Sequence, residues 1–191
     1  MYEVEVKVAA DHEPVRSALE RLGAEARGTV RQIDTYYDAP HRNFAATDEA
    51  LRLRREVRPE GGGRSTVLTY KGPLVESASK TREEAETAVD DGEAMATALS
   101  GLGFEPAATV AKDRDRFALD GYAVTLDAVD GLGEFVEVET EVDRETEVER
   151  AREGATEVLR SLDLDPTDGI RTSYLGLLLE AQNGGPVDDC E

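Results

Sequence analysis

The reading of the fold turns on five residues near the start of the chain, Glu3-Val4-Glu5-Val6-Lys7 (EVEVK, 3–7). Charged and β-branched side chains alternate there with period two. Successive side chains of a strand project to opposite faces, so Glu3, Glu5 and Lys7 share one face and the two valines the other. Two arrangements satisfy such a strand. Either its charges face water, or they line an enclosed polar interior while the valines pack under an outer layer. The remaining strands distinguish the two.

Residues 2–9, 26–39, 50–57, 65–72, 80–89, 108–119, 122–129 and 133–142 read as strands, separated by glycine-containing turns. Helices are expected at 13–22, where Asp11 caps a stripe of Val15, Leu19 and Leu22, and at 91–103, 146–162 and 168–182. The turn 58–64 and the loop 72–80 read as mobile segments at one mouth of the sheet. No linker interrupts the chain, so residues 1–182 form a single domain, followed by a flexible tail at 183–191 that carries the lone Cys190. The expected class is α+β: eight mostly antiparallel strands closing into a barrel, with helices packed outside.

The strand faces share one property. Arg52 and Arg54 lie on one face with Leu51 and Leu53 on the other; Arg82, Glu84 and Glu86 repeat the pattern, as do Lys112, Arg114 and Arg116. Glu137 and Glu139 alternate with Val136 and Val138, Lys71 shares a face with Thr69, and Asp127 shares one with Thr125. Basic residues are scarce in this chain, which carries 22 Lys and Arg against 42 Asp and Glu, a net charge of −20. Yet they recur at strand positions of one phase, and acids and bases are segregated by strand. Faces left in water would mix the signs, so a polar interior is the better reading.

The same imbalance repels nucleic acid and anionic membranes over most of the surface. Together with the absence of a membrane-length apolar run or a signal-peptide pattern, it points to a soluble cytoplasmic protein, with a surface like those of proteins from high-salt (halophilic) cytoplasms. His12 and His41 are expected at the surface without a role.

Several Lys and Arg converging on one cavity call for a multiply charged anion, and Arg matches phosphate oxygens in a bidentate fork. Carboxylates in the same cavity would repel that anion unless they hold divalent cations. Glu3, Glu5, Glu137 and Glu139 are hard oxygen ligands of the kind that suit Mg²⁺ or Mn²⁺. The interior therefore reads as a metal-assisted polyphosphate site, with triphosphate the natural candidate.

At this point the chain resembles a known family. EVEVK is similar to the ExExK signature of the CYTH superfamily, the triphosphate tunnel metalloenzymes. It is followed in order by DTYYD (34–38), ALRLR (50–54), TYKGP (69–73), TREEAE (81–86), VAKDR (110–114), VTLDAVDGLGEFVEVE (124–139) and IRTSYLGLL (170–178). The resemblance implies a barrel with a charged lumen. In it Glu3, Glu5 and Glu137 match metal-binding positions, with Asp127 and Glu139 as further acidic candidates. Lys7, Arg54, Lys71, Lys112 and Arg114 match triphosphate-binding positions, and Arg52 and Arg82 extend that basic lining. Arg171, Ser173 and Tyr174 match a C-terminal segment near the tunnel mouth, where Arg171 joins the substrate-binding set. Glu5, Lys71 and Lys112 are the candidates for catalytic groups.

Within the superfamily, LGEFVEVE and IRTSYLGLL most resemble class IV (CyaB-type) adenylate cyclases, which implies conversion of ATP to 3′,5′-cyclic AMP and pyrophosphate with Mg²⁺ or Mn²⁺. Hydrolysis of inorganic, thiamine or nucleoside triphosphate in the same lumen is the alternative, and a non-catalytic polyphosphate or nucleotide sensor is a third. The small-molecule triphosphate is the expected partner, and the family makes a homodimer an expectation too.

Overall fold

In a computed structural model that describes residues 2–59, 62–76 and 81–183, EVEVK lies within the first strand, β1 (Tyr2–Ala9). Val4 and Val8 are buried on the outer side of this strand, while Glu3, Glu5 and Lys7 line a central cavity. The chain continues through α1 (His12–Arg21), β2 (Glu25–Asp38), the single turn α2 (Phe44–Thr47), β3 (Ala50–Val57), β4 (Arg64–Glu76) and β5 (Thr81–Val89). It ends with α3 (Gly92–Gly101), β6 (Glu105–Leu119), β7 (Tyr122–Val129), β8 (Gly133–Val142), α4 (Val148–Ser161) and α5 (Tyr174–Asn183).

The strands close into a barrel in the order β1-β5-β4-β3-β2-β6-β7-β8, and every neighbouring pair is antiparallel. Closure pairs both edges of the sheet and leaves no open end for another chain to extend. The expected α+β barrel with helices outside is what forms.

The hydrophobic core lies outside the barrel wall. Val124, Leu126, Val136 and Val138 from β7 and β8 pack beneath Val15 and Leu19 of α1 and Ala155, Val158 and Leu159 of α4. Val4 packs under Val148 and Ala151 of α4. On the opposite flank, Leu99 of α3 and Phe44 of α2 cover Tyr37, Leu51 and Leu53. Each of these strand residues alternates with a polar neighbour, so burying the outer face aims that neighbour into the lumen.

Four local expectations are revised. The loop expected at 72–80 begins as strand: β4 continues to Glu76, with irregular register on either side of Leu74, which pairs with Arg82. Gly72-Pro73 marks a bulge there rather than an end. Residues 60–61 of the expected 58–64 turn, residues 77–80, and the tail 184–191 with Cys190 lie outside the described residues.

The helix expected from 168 starts only at Tyr174, because the Ile170 N–H donates to the Lys7 carbonyl at 2.7 Å and pins this segment to β1. Ser173 then accepts from the Gly176 N–H at 3.1 Å, as an N-cap does. His12 is buried rather than superficial: its backbone N–H donates to Glu134 at 2.7 Å, and its Nε2 lies 3.0 Å from the Phe135 carbonyl. The turn α2 lies where no helix was expected. Asn43 caps it by accepting from Ala46, and Asp48 ends it in the left-handed region at φ 54°.

Candidate active site in the barrel lumen

The lumen encloses about 770 Å³. Three of the chain's four lysines, Lys7, Lys71 and Lys112, line it together with Arg52, Arg54, Arg82, Arg114 and Arg116. Glu3, Glu5, Glu84, Glu86, Glu137, Glu139 and Glu141 line it as well. The strand alternation thus delivers both charge sets to one cavity.

Register decides which charges meet. Glu5 faces Glu139 across the β1/β8 ladder, and Lys7 faces Glu137. Directly opposed like charges destabilise a sheet unless a cation intervenes. Carboxylate oxygens of Glu5, Glu137 and Glu139 all lie within 4.8 Å of one another, close enough for one ion to bridge three of them. Burial, with Glu3, Glu137 and Glu5 nearby and only partly offset by Arg114, pushes the Glu139 carboxyl up to about 7. An unbalanced cluster of hard oxygen donors is the chemistry that a divalent cation satisfies, so these three residues fit the expected metal. Glu3 stands apart from them. Its carboxylate is 3.1 Å from the Lys71 ammonium, which also pairs with Glu84. Burial opposes ionisation of Glu3, but Lys71, the Glu84 hydrogen bond and the Arg52 charge together bring the group down to about 2. Glu84, buried and beside Glu3, is pushed up to about 7.

The basic walls are built around two aspartates. On one side Asp127 accepts from Lys112 Nζ at 2.7 Å, from Arg114 Nε at 2.7 Å and Nη2 at 2.6 Å, and from the Tyr174 hydroxyl at 3.0 Å. Arg114 also reaches Glu137. On the other side Asp34 takes a two-point fork from Arg54, both bonds 2.7 Å, with Arg52 Nη1 3.7 Å away. Arg52 donates to Thr69 at 3.1 Å, and Thr69 donates to Glu86 at 3.1 Å. Burial opposes ionisation of Asp34, but the Arg54 hydrogen bonds and charge lower it to about 2. Burial and the Arg114 charge lower Lys112 to about 8. Tyr174 closes one side with Lys7 and Lys112 over its ring, at 4.3 and 4.7 Å from the centroid.

The structure therefore brings Glu3, Glu5, Lys7, Arg52, Arg54, Lys71, Arg82, Lys112, Arg114, Glu137 and Glu139 to one cavity. Asp127 is wholly buried on the inner side of β7, beneath the lumen cations that take up its oxygens, and is not part of the carboxylate triad. Arg171 is exposed and borders a separate cavity of about 290 Å³, with Arg152 and Thr167. Arg116 is tied to Glu56, which also accepts from Gln32 at 3.1 Å. Asp34 had no assigned role from the sequence, although Gln32, Asp34 and Tyr36 keep period two. The opposite face of that stretch carries Arg31 and Thr35 on either side of Ile33, so the alternation carries little hydropathy contrast.

The chain has relatives of known family and known structure. The CYTH domain family matches residues 1–174. A Methanocaldococcus jannaschii protein, provisionally named an adenylate cyclase, is 36% identical over 178 residues, spanning 93% of this chain and 98% of the relative. Adenylate cyclase CyaB of Aeromonas hydrophila is 25% identical over 91% of this chain and 86% of its own. The solved Pyrococcus horikoshii protein PH1819 superposes with a TM-score of 0.87 at 38% identity, over 94% of this chain and 99% of that one. A Hippeastrum protein, described as an adenylyl cyclase candidate with a dominant triphosphatase activity, shares the fold at a TM-score of 0.64 and 17% identity, over 94% and 95% of the two chains. With a closed charged barrel and a family match across most of its length, this chain belongs to the CYTH family.

Proposed function

We propose that this protein is a cytoplasmic, divalent-metal-dependent enzyme acting on a triphosphate held in the barrel lumen, and that its reaction is conversion of ATP to 3′,5′-cyclic AMP and pyrophosphate. The observation that carries this reading is the meeting, in one cavity, of two basic walls with the Glu5, Glu137 and Glu139 triad. Anion binding alone gives no reason for three carboxylates to converge. Lys7, Arg52, Arg54, Lys71, Lys112 and Arg114 grip the phosphates, and a buried cluster of fixed donors stabilises charge developing on a leaving pyrophosphate. Mg²⁺ or Mn²⁺ on the triad would lower the pKa of the ribose 3′-OH and neutralise charge at the α-phosphate. Lys112, near 8, is suited to give a proton to the departing oxygen.

A second reading is hydrolysis of inorganic, thiamine or nucleoside triphosphate. Its support is the Hippeastrum protein, in which the same barrel architecture carries a dominant triphosphatase activity. Purified protein in molar KCl, given ATP, inorganic triphosphate and thiamine triphosphate with Mg²⁺ or Mn²⁺, separates the readings by its products. Cyclic AMP with pyrophosphate supports the cyclase. Orthophosphate without cyclic AMP replaces it with the hydrolase, and tight binding without turnover leaves a sensor.

Metal binding should depend on pH. Glu139 must lose its proton before it can ligate, so affinity for Mn²⁺ should rise as pH passes through about 7. The sign for the metal-free fold is opposite. A carboxyl raised above its ordinary value contributes stability that is complete below the usual carboxylate range and is lost as pH climbs toward 7. Mn²⁺ should therefore raise the unfolding temperature more on the alkaline side of 7 than on the acid side. A pH-independent shift would remove Glu139 from the ligand set.

A further inference from the structure

Arg82 is one of the lumen-lining cations, 4% exposed, and among the described residues its guanidinium hydrogen-bonds to one residue, Asp48. Nη1 donates to the Asp48 carbonyl at 2.6 Å and Nη2 to the Asp48 carboxylate at 2.7 Å. The other aspartates that hold lumen cations, Asp34 and Asp127, are buried within the barrel wall. Asp48 differs in two respects. Its side chain is half exposed at the cavity mouth, and it belongs to no strand, ending the four-residue turn α2 instead. It is thus a carboxylate reaching onto a buried lumen guanidinium from a short segment outside the wall, and it occupies donors of the kind that phosphate oxygens take up by the same charge-assisted bonds.

We infer that Asp48 is an internal competitor for the phosphate-binding face of Arg82, and so a residue that sets the affinity of the lumen for triphosphate. The inference rests on the triphosphate reading of the lumen. When the anion enters, the Asp48 carboxylate yields Nη2 while its carbonyl keeps Nη1, so α2 stays anchored. The rival role is purely structural: Arg82 would cap the end of α2, and Asp48 would have no bearing on ligand.

The substitution Asp48→Asn separates them. Asparagine tolerates the left-handed conformation at φ 54° as well as aspartate does, so the backbone is retained while the competing charge is removed. Asp48→Gly offers the same backbone freedom without any side-chain acceptor. The neighbouring Glu49→Gln is the control for charge. It removes one negative charge at the same mouth, where Glu49 pairs with Arg42 at 3.3 Å and with Tyr70 and Thr47 rather than with Arg82.

Binding of inorganic triphosphate is titrated calorimetrically without divalent metal, so that no turnover intervenes, in dilute buffer and in molar KCl, where the screening length falls to about 3 Å. Both Asp48 variants should bind about 10-fold tighter than the parent, the scale of one charge-assisted hydrogen bond, and should keep that gain in molar KCl. Glu49→Gln should show a smaller gain that salt erases. Affinity that is unchanged or weaker in the Asp48 variants, or a gain that matches Glu49→Gln and disappears in salt, overturns the competition. Absence of triphosphate binding by the parent protein, with Mg²⁺ present as well as without it, refutes the proposed function itself.

Discussion

Glu5→Gln is expected to cut metal-dependent turnover on the order of 100-fold or more, because loss of even an outer partner of a metal site costs 10–100-fold in affinity or activity. Glutamine keeps the volume and one oxygen of the side chain but not the charge that makes three facing carboxylates a cation site. Stability should change little. Glu5 lies at the accessible edge of the triad, 3.9 Å from Lys7, and faces Glu139 across the ladder, so neutralising it relieves one like-charge pair. The metal-free unfolding free energy should stay within about 1 kcal/mol of the parent. Rates measured against Mn²⁺ concentration, with urea denaturation of both proteins, test the pair of outcomes. Full turnover in the variant would place the metal elsewhere, and gross unfolding would make Glu5 structural.

The second large effect falls on stability. Asp127→Asn should destabilise the fold by about 3 kcal/mol or more, since removing one partner of a buried charge cluster leaves its cations uncompensated. Asp127 has no exposed surface and is the common acceptor for Lys112, Arg114 and Tyr174. Arg114 would retain its bond to Glu137, whereas Lys112 would lose its hydrogen-bonded carboxylate and keep the Tyr174 ring and the more distant charge of Glu137. Burial resists ionisation of Asp127, and Arg114 and Lys112 overcome it, so its carboxyl is held well below the ordinary range. Its contribution is therefore present above the usual carboxylate pKa and is lost only as pH falls through the depressed value. Urea titrations of the two proteins should differ by a constant amount near neutrality and converge only in strong acid. A difference below about 1 kcal/mol at neutral pH would mean that the cluster is hydrated and that water in the lumen reaches Asp127.

These two variants also mark what was legible in the sequence. The barrel and its charged lumen were readable because β1, β7 and β8 alternate valine or leucine with charge, and the helices needed to cover the apolar phase were present. The carboxylate cluster was readable in part for the same reason, since Glu5, Glu137 and Glu139 stand in phase on neighbouring strands, but the resemblance put Glu3 ahead of Glu139, and the register sends Glu3 to Lys71 instead. Pairings between strands were not. Alternation tells which face a residue takes but not the register or the shear, so Asp127 could be placed on the inner face without showing that Lys112, Arg114 and Tyr174 would consume its oxygens. Arg171 could not be placed for a related reason: it lies in irregular chain, where no period assigns a face, next to the Ile170 bond to Lys7, and it borders the side cavity. Asp48 was invisible because its importance comes from a turn of four residues and a cation 34 positions away.

The barrel wall has a consequence for how such a chain can change through time. Along β1 and β8 two messages are interleaved letter by letter: odd positions such as Glu5 and Glu137 are written for chemistry, even ones such as Val4 and Val138 for packing. Either message tolerates editing while the other stays intact, so new specificities can be tried on a constant scaffold. Losing or gaining a single residue inside a strand is another matter. It would transpose the two messages at once, turning valines toward phosphate and carboxylates toward α4. Descendants of this architecture should therefore vary freely by substitution within their strands and confine changes of length to the turns.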